Sequence, residues 1–238
     1  IYTDQAMADS MSGSIEADGT IRTSVYGSYF LLDGLYQSGN GTLARQFMSN
    51  PDTQYGSNSW AYIMKKLGAT MSTEAWSPEA KENMTYSHAW GSSPASQIVR
   101  GIFGIQPTSA GFSTFQVKLQ PGGLADGAVE IPTVKGPIPV SFHLQQDGTL
   151  TTELSIPANT QADVYLPANS NGNIFLTVNG SSSAGELQQG FVKITLGSGT
   201  YQLVYNTGMA PDSSELTVPP VVNSQAYVGE LNFWQDTV

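Results

Sequence analysis

The chain has 238 residues, which is long enough for one large domain or for two smaller domains with separate cores. Nine basic residues against 19 acidic ones give a formal net charge of −10, and the basic residues are scattered, which excludes nucleic acid as a partner. There is no cysteine, so disulfides, thiol catalysis and cysteine-bound zinc are excluded as well.

Apolar residues recur at helical spacing through the first half of the chain, after residues 1–22, which carry no clear pattern. Asn58 is expected to cap one helix, and Gly68 is a suitable residue just beyond its end. A serine followed by proline predicts helix starts at Ser77 and Ser93. The predicted helices cover residues 24–37, 42–49, 58–67 and 93–104, with a short one beginning at 77.

Alternating apolar and polar residues replace this pattern after Pro107. The predicted strands cover residues 115–119, 140–144, 150–156, 162–166, 174–178, 192–196 and 201–205. Many short alternating strands with turn signals between them, such as Asp147-Gly148, predict an antiparallel β-sandwich. The predicted division is a helical domain at 1–107, the β-sandwich at 108–208, and a linker or C-terminal arm at 209–238.

The candidate functional residues of the chain are concentrated between residues 68 and 94. Glu74 lies there among several aromatic residues, with Trp76 two positions away and His88 and Trp90 further along. A carboxylate near indoles and an imidazole suits a general base that acts on a neutral, ring-shaped substrate. The alternative is that Glu74 is a solvated loop carboxylate and that the tryptophans belong to an ordinary core.

Several sequence motifs of the chain, taken in order, carry a family resemblance. They are SYFLLDGLYQSG (28–39), SWAYIMKKLGATMSTEAW (59–76), YSHAWGSSP (86–94), GIFGIQPTSAGFSTFQVKLQP (101–121) and VEIPTVKGPIPVSF (129–142). As a set, these motifs resemble the C-terminal part of the family 78 α-L-rhamnosidases. The resemblance implies a multidomain α and β fold, in which the last helices of an (α/α)6 barrel precede an antiparallel β-sandwich.

The same resemblance implies roles for particular residues. The general base of the family's inverting hydrolysis falls on Glu74, and a histidine that lines the sugar pocket falls on His88. Trp60, Trp76 and Trp90 fall at positions expected to frame the sugar, although Trp60 also shares a helical face with core residues. The implied substrate is a rhamnose-containing glycoside or polysaccharide, and no cofactor or metal is implied.

The chain departs from the family pattern in two places. Thr73 stands where the family often has the first tryptophan of its Trp-Glu-x-Trp motif. The Asp-Arg-x-Glu-Arg-type stretch that supplies the family's general acid does not occur in this sequence. The sequence is therefore expected to be a C-terminal fragment that works with an N-terminal fragment of the same enzyme.

Three sequons begin at Asn40, Asn83 and Asn179, and they predict N-glycosylation of a secreted, extracellular protein. No apolar run approaches ~20 residues, so no membrane span is predicted. Two other functions stay open at this point: a helical-barrel glycosidase acting on a different sugar, and a non-catalytic carbohydrate-binding protein. For the second, Tyr165 and Phe175 are the only outward aromatic residues predicted on the strands.

Overall fold

The structure is a computed structural model, and it describes residues 5–49 and 58–212. Within these residues a helical segment comes first and two β-sheets follow, as the sequence predicted. The α-helices are α1 (Gln5–Asp18), α2 (Ser28–Gln37), α3 (Gly41–Ser49), α4 (Trp60–Lys65) and α5 (Ser93–Gln97). A 3-10 turn at Ala89–Gly91 precedes α5, and a π-helical turn at Ile98–Ile102 continues it.

The helices differ from the predicted ones mainly at their ends. Ser59, rather than Asn58, caps α4, because its hydroxyl accepts the Tyr62 N–H at 3.0 Å. Asn58 instead donates its side-chain amide to the Ile21 carbonyl at 2.6 Å. The predicted helix at Ser77 is only a turn, in which two successive N–H groups bond to the Ser77 carbonyl. Helix α1 was not predicted, because it lacks a continuous buried face.

The strands form two sheets. They are β1 (Gln106–Pro107), β2 (Thr114–Lys118), β3 (Asp126–Ile131), β4 (Ile138–Leu144), β5 (Thr149–Ile156), β6 (Gln161–Pro167), β7 (Phe175–Val178), β8 (Ser181–Ala184), β9 (Glu186–Gln188), β10 (Phe191–Leu196) and β11 (Gly199–Asn206). One sheet has the order β1-β2-β6-β10-β9, and the other has the order β3-β4-β5-β11-β7-β8. Neighbouring strands run antiparallel except β2 and β6, which are parallel.

The predicted strands are all present, and four further ones, β1, β3, β8 and β9, complete the sheets. Strands β8 and β9 were not predicted because their side chains are mostly exposed and do not alternate between apolar and polar. Asn179 and Gly180 both have positive φ and form the predicted tight turn, which joins β7 to β8.

The helical segment and the sheets share one hydrophobic core. Phe103, just after the π-helical turn, contacts Phe142 of β4 with ring centroids 5.4 Å apart. Gln120, beyond β2, donates its amide to the Tyr36 carbonyl at 2.8 Å and accepts the Gly41 N–H at 3.2 Å. The loop between α4 and α5 carries the candidate site. The helices at its two ends belong to a segment that is packed and hydrogen-bonded to the sandwich.

The predicted C-terminal arm lies outside the described residues, apart from its first residues up to Asp212. In the part of the chain that the structure describes, every helix is too short or too polar to cross a membrane.

Candidate active site

Two segments of the loop between α4 and α5 run side by side and position the candidate residues. The Glu74 N–H donates to the Thr85 carbonyl at 2.9 Å, and the His88 N–H donates to the Ser72 carbonyl at 2.8 Å. The Ser72 hydroxyl returns a hydrogen bond to the His88 carbonyl at 2.6 Å. This local pairing brings Glu74 and His88 onto the same surface.

Glu74 is an ionised and partly exposed carboxylate. Its Oε1 forms an ion pair with the Lys81 ammonium, and its Oε2 accepts the Thr85 N–H at 3.1 Å. The Lys81 hydrogen bond, followed by the Thr85 N–H, lowers the pKa of Glu74 below its ordinary value. The side chain keeps 18% of its surface exposed, so a water molecule has access to it. A carboxylate in this state has the protonation that a general base needs.

His88 is half-buried and is held from both ring nitrogens. Its Nε2 lies 3.2 Å from the Tyr26 hydroxyl, and its Nδ1 lies 3.3 Å from the Thr85 hydroxyl. The Thr85 hydroxyl lies 3.5 Å from Glu74 Oε2. Thr85 therefore stands between the carboxylate and the imidazole, and Tyr26 fixes the far side of the ring.

Tyr26, His88 and Trp90 together form an aromatic wall beside Glu74. The Tyr26 and His88 rings are stacked with centroids 5.3 Å apart, and Trp90 meets them edge-on at 5.6 Å and 5.9 Å. Trp90 is 73% exposed, which is unusual for so large an apolar side chain. The wall thus presents aromatic surface of the kind that packs against the apolar face of a sugar.

Trp60 and Trp76 lie beneath this wall and are buried, with 7% and 4% of their surfaces exposed. Their rings meet edge-on at 4.9 Å. The Trp60 indole donates to the Gly91 carbonyl at 2.6 Å, next to Trp90. The Trp76 indole donates to the Thr23 carbonyl at 2.8 Å, three residues before Tyr26. Both tryptophans therefore support the backbone that carries the wall, and their direct contact with a sugar stays a prediction.

Sequence reasoning missed Tyr26, Lys81 and Thr85. Tyr26 falls inside a predicted helix but off its apolar face, and this is the one signal that could have singled it out. Lys81 and Thr85 follow no pattern, because their proximity to Glu74 depends on the path of the loop.

The three sequon asparagines differ in their surroundings. Asn83 is exposed, whereas Asn40 is partly buried and donates to the Ser12 hydroxyl at 2.9 Å. Asn179 is exposed, but its side-chain oxygen accepts the Gln202 N–H at 2.8 Å. Asn83 thus has the most accessible amide, and glycosylation at all three sites stays a prediction.

Residues 5–49 and 58–212 contain no group of three or more His, Cys, Asp or Glu side chains arranged to hold a metal ion.

The fold is that of the C-terminal portion of α-L-rhamnosidase structures. The α-L-rhamnosidase of Streptomyces avermitilis complexed with L-rhamnose matches 84% of this chain at 23% identity and a TM-score of 0.68. The enzyme from Dictyoglumus thermophilum matches 79% of it at 18% identity and a TM-score of 0.68. The native enzyme from Aspergillus terreus matches 84% at 19% identity and a TM-score of 0.65.

Residues 104–179, most of the β-sandwich, match the family model of the bacterial alpha-L-rhamnosidase C-terminal domain. The predicted resemblance to the C-terminal part of these enzymes is therefore confirmed. The matched regions are 20%, 21% and 21% of the three solved chains, so this chain spans about a fifth of their length. No curated protein sequence matches the chain significantly.

Proposed function

We propose that this chain is the part of an inverting α-L-rhamnosidase-like glycoside hydrolase that carries the general base, Glu74. The observation that supports this most strongly is the ionised Glu74 carboxylate beside the wall of Tyr26, His88 and Trp90. The substrate class comes from the rhamnosidase similarity, since one of the matched structures contains bound L-rhamnose. A 6-deoxy sugar has an extended apolar face, which suits an aromatic wall.

In the proposed reaction, Glu74 removes a proton from a water molecule, and the water oxygen attacks the anomeric carbon of rhamnose. The bond between that carbon and the leaving oxygen breaks on the opposite face, and a general acid protonates the leaving oxygen. The two carboxyl groups of inverting glycosidases stand roughly 6.5–9.5 Å apart to leave room for the water. His88 and Trp90 hold the sugar during the attack.

The general acid belongs, in this proposal, to an N-terminal part of the same enzyme. The sequence lacks the Asp-Arg-x-Glu-Arg-type stretch that carries the acid in the family. We also propose that the enzyme is secreted, which the sequons favour. The chain alone should therefore leave aryl rhamnosides intact, and hydrolysis should require the polypeptide that supplies the acid. Hydrolysis by the chain alone would contradict this placement of the acid.

The reaction class is tested with a panel of aryl glycosides and with NMR of the first product anomer. For the enzyme that contains this chain and the general acid, we expect turnover of the α-L-rhamnoside and not of the fucoside or glucosides. The first product should be β-L-rhamnose. Faster turnover of another glycoside would change the sugar assignment, and initial release of the α-anomer would exclude inversion.

A further inference from the structure

Four polar side chains of the candidate site, those of Tyr26, His88, Thr85 and Glu74, form an unbroken row. At one end the Tyr26 hydroxyl lies 3.2 Å from His88 Nε2. On the other side of the ring, His88 Nδ1 lies 3.3 Å from the Thr85 hydroxyl, which is in turn 3.5 Å from Glu74 Oε2. These contacts are long, as is common for catalytic hydrogen bonds before a substrate tightens them. The row joins the aromatic wall to the proposed general base.

The main chain of Thr85 is also bonded to Glu74, so their closeness does not depend on the hydroxyl alone. The Thr85 N–H donates to Glu74 Oε2 at 3.1 Å, and the Thr85 carbonyl accepts the Glu74 N–H at 2.9 Å. The Thr85 hydroxyl hydrogen therefore has two acceptors within reach, the carboxylate oxygen and His88 Nδ1.

This single hydrogen decides the direction of the row, because a hydroxyl donates only once. Glu74 is ionised and can only accept, and a hydroxyl that points its lone pairs at a negative oxygen is repelled. The hydrogen therefore belongs on the Glu74 side, and the Thr85 oxygen accepts from His88, which requires a hydrogen on Nδ1. A neutral imidazole with Nδ1–H has a bare Nε2, and this nitrogen accepts the hydrogen of the Tyr26 hydroxyl.

We propose that Tyr26 and Thr85 are positioning residues, which hold His88 as its Nδ1–H tautomer in one directional row of hydrogen bonds that ends on Glu74. The inference rests on the proposed function, because it concerns the same general base. The row fixes the wall that holds the sugar relative to the carboxylate that activates the water. The rate of such a reaction falls steeply when the alignment of its groups is loosened.

The first test is the tautomer of His88, read from nitrogen NMR of the complete chain at mildly alkaline pH, where an ordinary imidazole is neutral. His88 and His143 are the two histidines of the sequence, so His143→Gln leaves a single ring to observe. We expect the Nδ1–H form of His88 in this variant. The Nε2–H form, or a ring protonated on both nitrogens, would overturn the proposal.

Thr85→Val tests whether the threonine hydroxyl selects this tautomer. Thr85 is exposed, so the variant should keep the fold, while the loss of the acceptor for Nδ1–H should raise the share of the Nε2–H form. Thr85→Ser returns the hydroxyl and should restore Nδ1–H. Because Thr85→Val also removes the sequon that begins at Asn83, Asn83→Gln is the matched control, and it should keep the Nδ1–H form. An unchanged tautomer in Thr85→Val would overturn the role of Thr85.

The positioning role is tested by kinetics of the enzyme that contains this chain and the general acid. Thr85→Val and Tyr26→Phe should each lower kcat for an aryl rhamnoside by about ten- to a hundredfold and change KM by less than about threefold. Both variants loosen the alignment but keep the aromatic wall. The double variant should lose less than the product of the two single losses, because both residues act through His88. Tyr29→Phe removes a hydroxyl outside the row and should keep kcat within about twofold.

Unchanged kcat in Thr85→Val and Tyr26→Phe would overturn the positioning role. A rise in KM at constant kcat would also overturn it, because the two residues would then bind the sugar directly. Failure of the proposed function gives a different result, namely near-normal kcat in Glu74→Gln. In that case the NMR measurement on the chain alone still decides whether the row of hydrogen bonds exists.

Discussion

Glu74 has two donors on different carboxylate oxygens, and this arrangement fits a group that must be ionised while it works. Lys81 approaches Oε1, and the Thr85 N–H approaches Oε2. Both favour the charged form, so the pKa of Glu74 lies below its ordinary value. A base of this kind is active above its pKa and is lost as the pH falls through it.

Lys81→Met should therefore shift the acidic limb of kcat/KM for an aryl rhamnoside to higher pH. The change removes the largest cause of the lowered pKa, so Glu74 becomes protonated at a higher pH than before. The measurement is the pH–rate profile of the enzyme that contains this chain. Lys66→Met removes a charge from an exposed residue at the end of α4 and should leave the limb in place. An unshifted limb in Lys81→Met would refute the role assigned to Lys81.

Trp90→Ala should raise KM by roughly two- to tenfold and change kcat little, because one aromatic contact with the sugar is worth about 0.5–1.5 kcal/mol. Trp90 is 73% exposed, so its removal should hardly affect the free energy of unfolding. Trp90→Phe keeps an aromatic face and should keep most of the affinity. A fall in Tm with unchanged KM would mean that Trp90 serves folding rather than binding.

At the level of single residues, the sequence predicted the position of Glu74 and His88 in one loop. It could not distinguish the buried tryptophans from the exposed one. An indole on a helix face or in a loop looks the same in a sequence whether it is buried or exposed. Trp60 and Trp76 pack in the hydrophobic core, and backbone carbonyls accept their indole N–H groups there. Lys81 and Thr85 depend on the path of the loop and carry no pattern of their own, and Tyr26 is marked only by its position off the apolar face of a predicted helix.

At the level of elements, the passage from the π-helical turn into β1 depends on Gly104. Its φ is +62°, in the left-handed region, and a Cβ there would collide with the Lys118 carbonyl oxygen of β2. The Lys118 backbone cannot move away from such a Cβ, because Lys118 is paired with Tyr165 inside the sheet. The glycine thus allows the helical segment to approach the sandwich closely.

Gly104→Ala should lower the free energy of unfolding by about 2–4 kcal/mol, since it combines backbone strain with a collision against backbone. Gly13→Ala is a matched control within α1, where a Cβ would meet nothing within 4 Å. This control should raise stability by about 0.5–1 kcal/mol, as expected for replacing a glycine inside a helix. Denaturant unfolding measures both, and equal stabilities of the two variants would contradict the account of this junction.

Elements with strong apolar periodicity were predicted well, and elements without it were missed. Residues 150–156 alternate between inward and outward positions and form β5. Strand β8, with the sequence SSSA, is held by its partner strand rather than by buried side chains, so its sequence gives no signal. The parallel pairing of β2 with β6 is a property of the whole sheet and cannot be read from either strand.

At the level of the whole molecule, Arg45 connects the helical segment to the sandwich. This buried side chain on α3 donates to the Gly122 carbonyl and forms an ion pair with Asp212 at 2.8 Å. Its contacts therefore join three distant parts of the chain. The sequence shows Arg45 only as one of the few basic residues, since both partners lie far away along the chain.

Arg45→Met should lower the free energy of unfolding by about 2 kcal/mol, because it removes charge-assisted hydrogen bonds and leaves the Gly122 carbonyl without its donor. Asp212→Asn should cost less, since the Asp212 side chain is 36% exposed and keeps access to water. Chemical denaturation of both variants gives the comparison. Wild-type stability of Arg45→Met would show that the contacts of Arg45 do not hold the two parts together.

The decisive measurement is the kcat of Glu74→Gln for an aryl α-L-rhamnoside, in the enzyme that contains this chain and the general acid. The amide keeps the size of the carboxylate but cannot take a proton from water, so kcat should fall by about 10²–10⁴-fold with the fold intact. Glu79→Gln, an exposed glutamate of the same loop, should keep kcat within about twofold. Near-normal kcat in Glu74→Gln, with circular dichroism unchanged, would contradict the assignment of Glu74 as the general base.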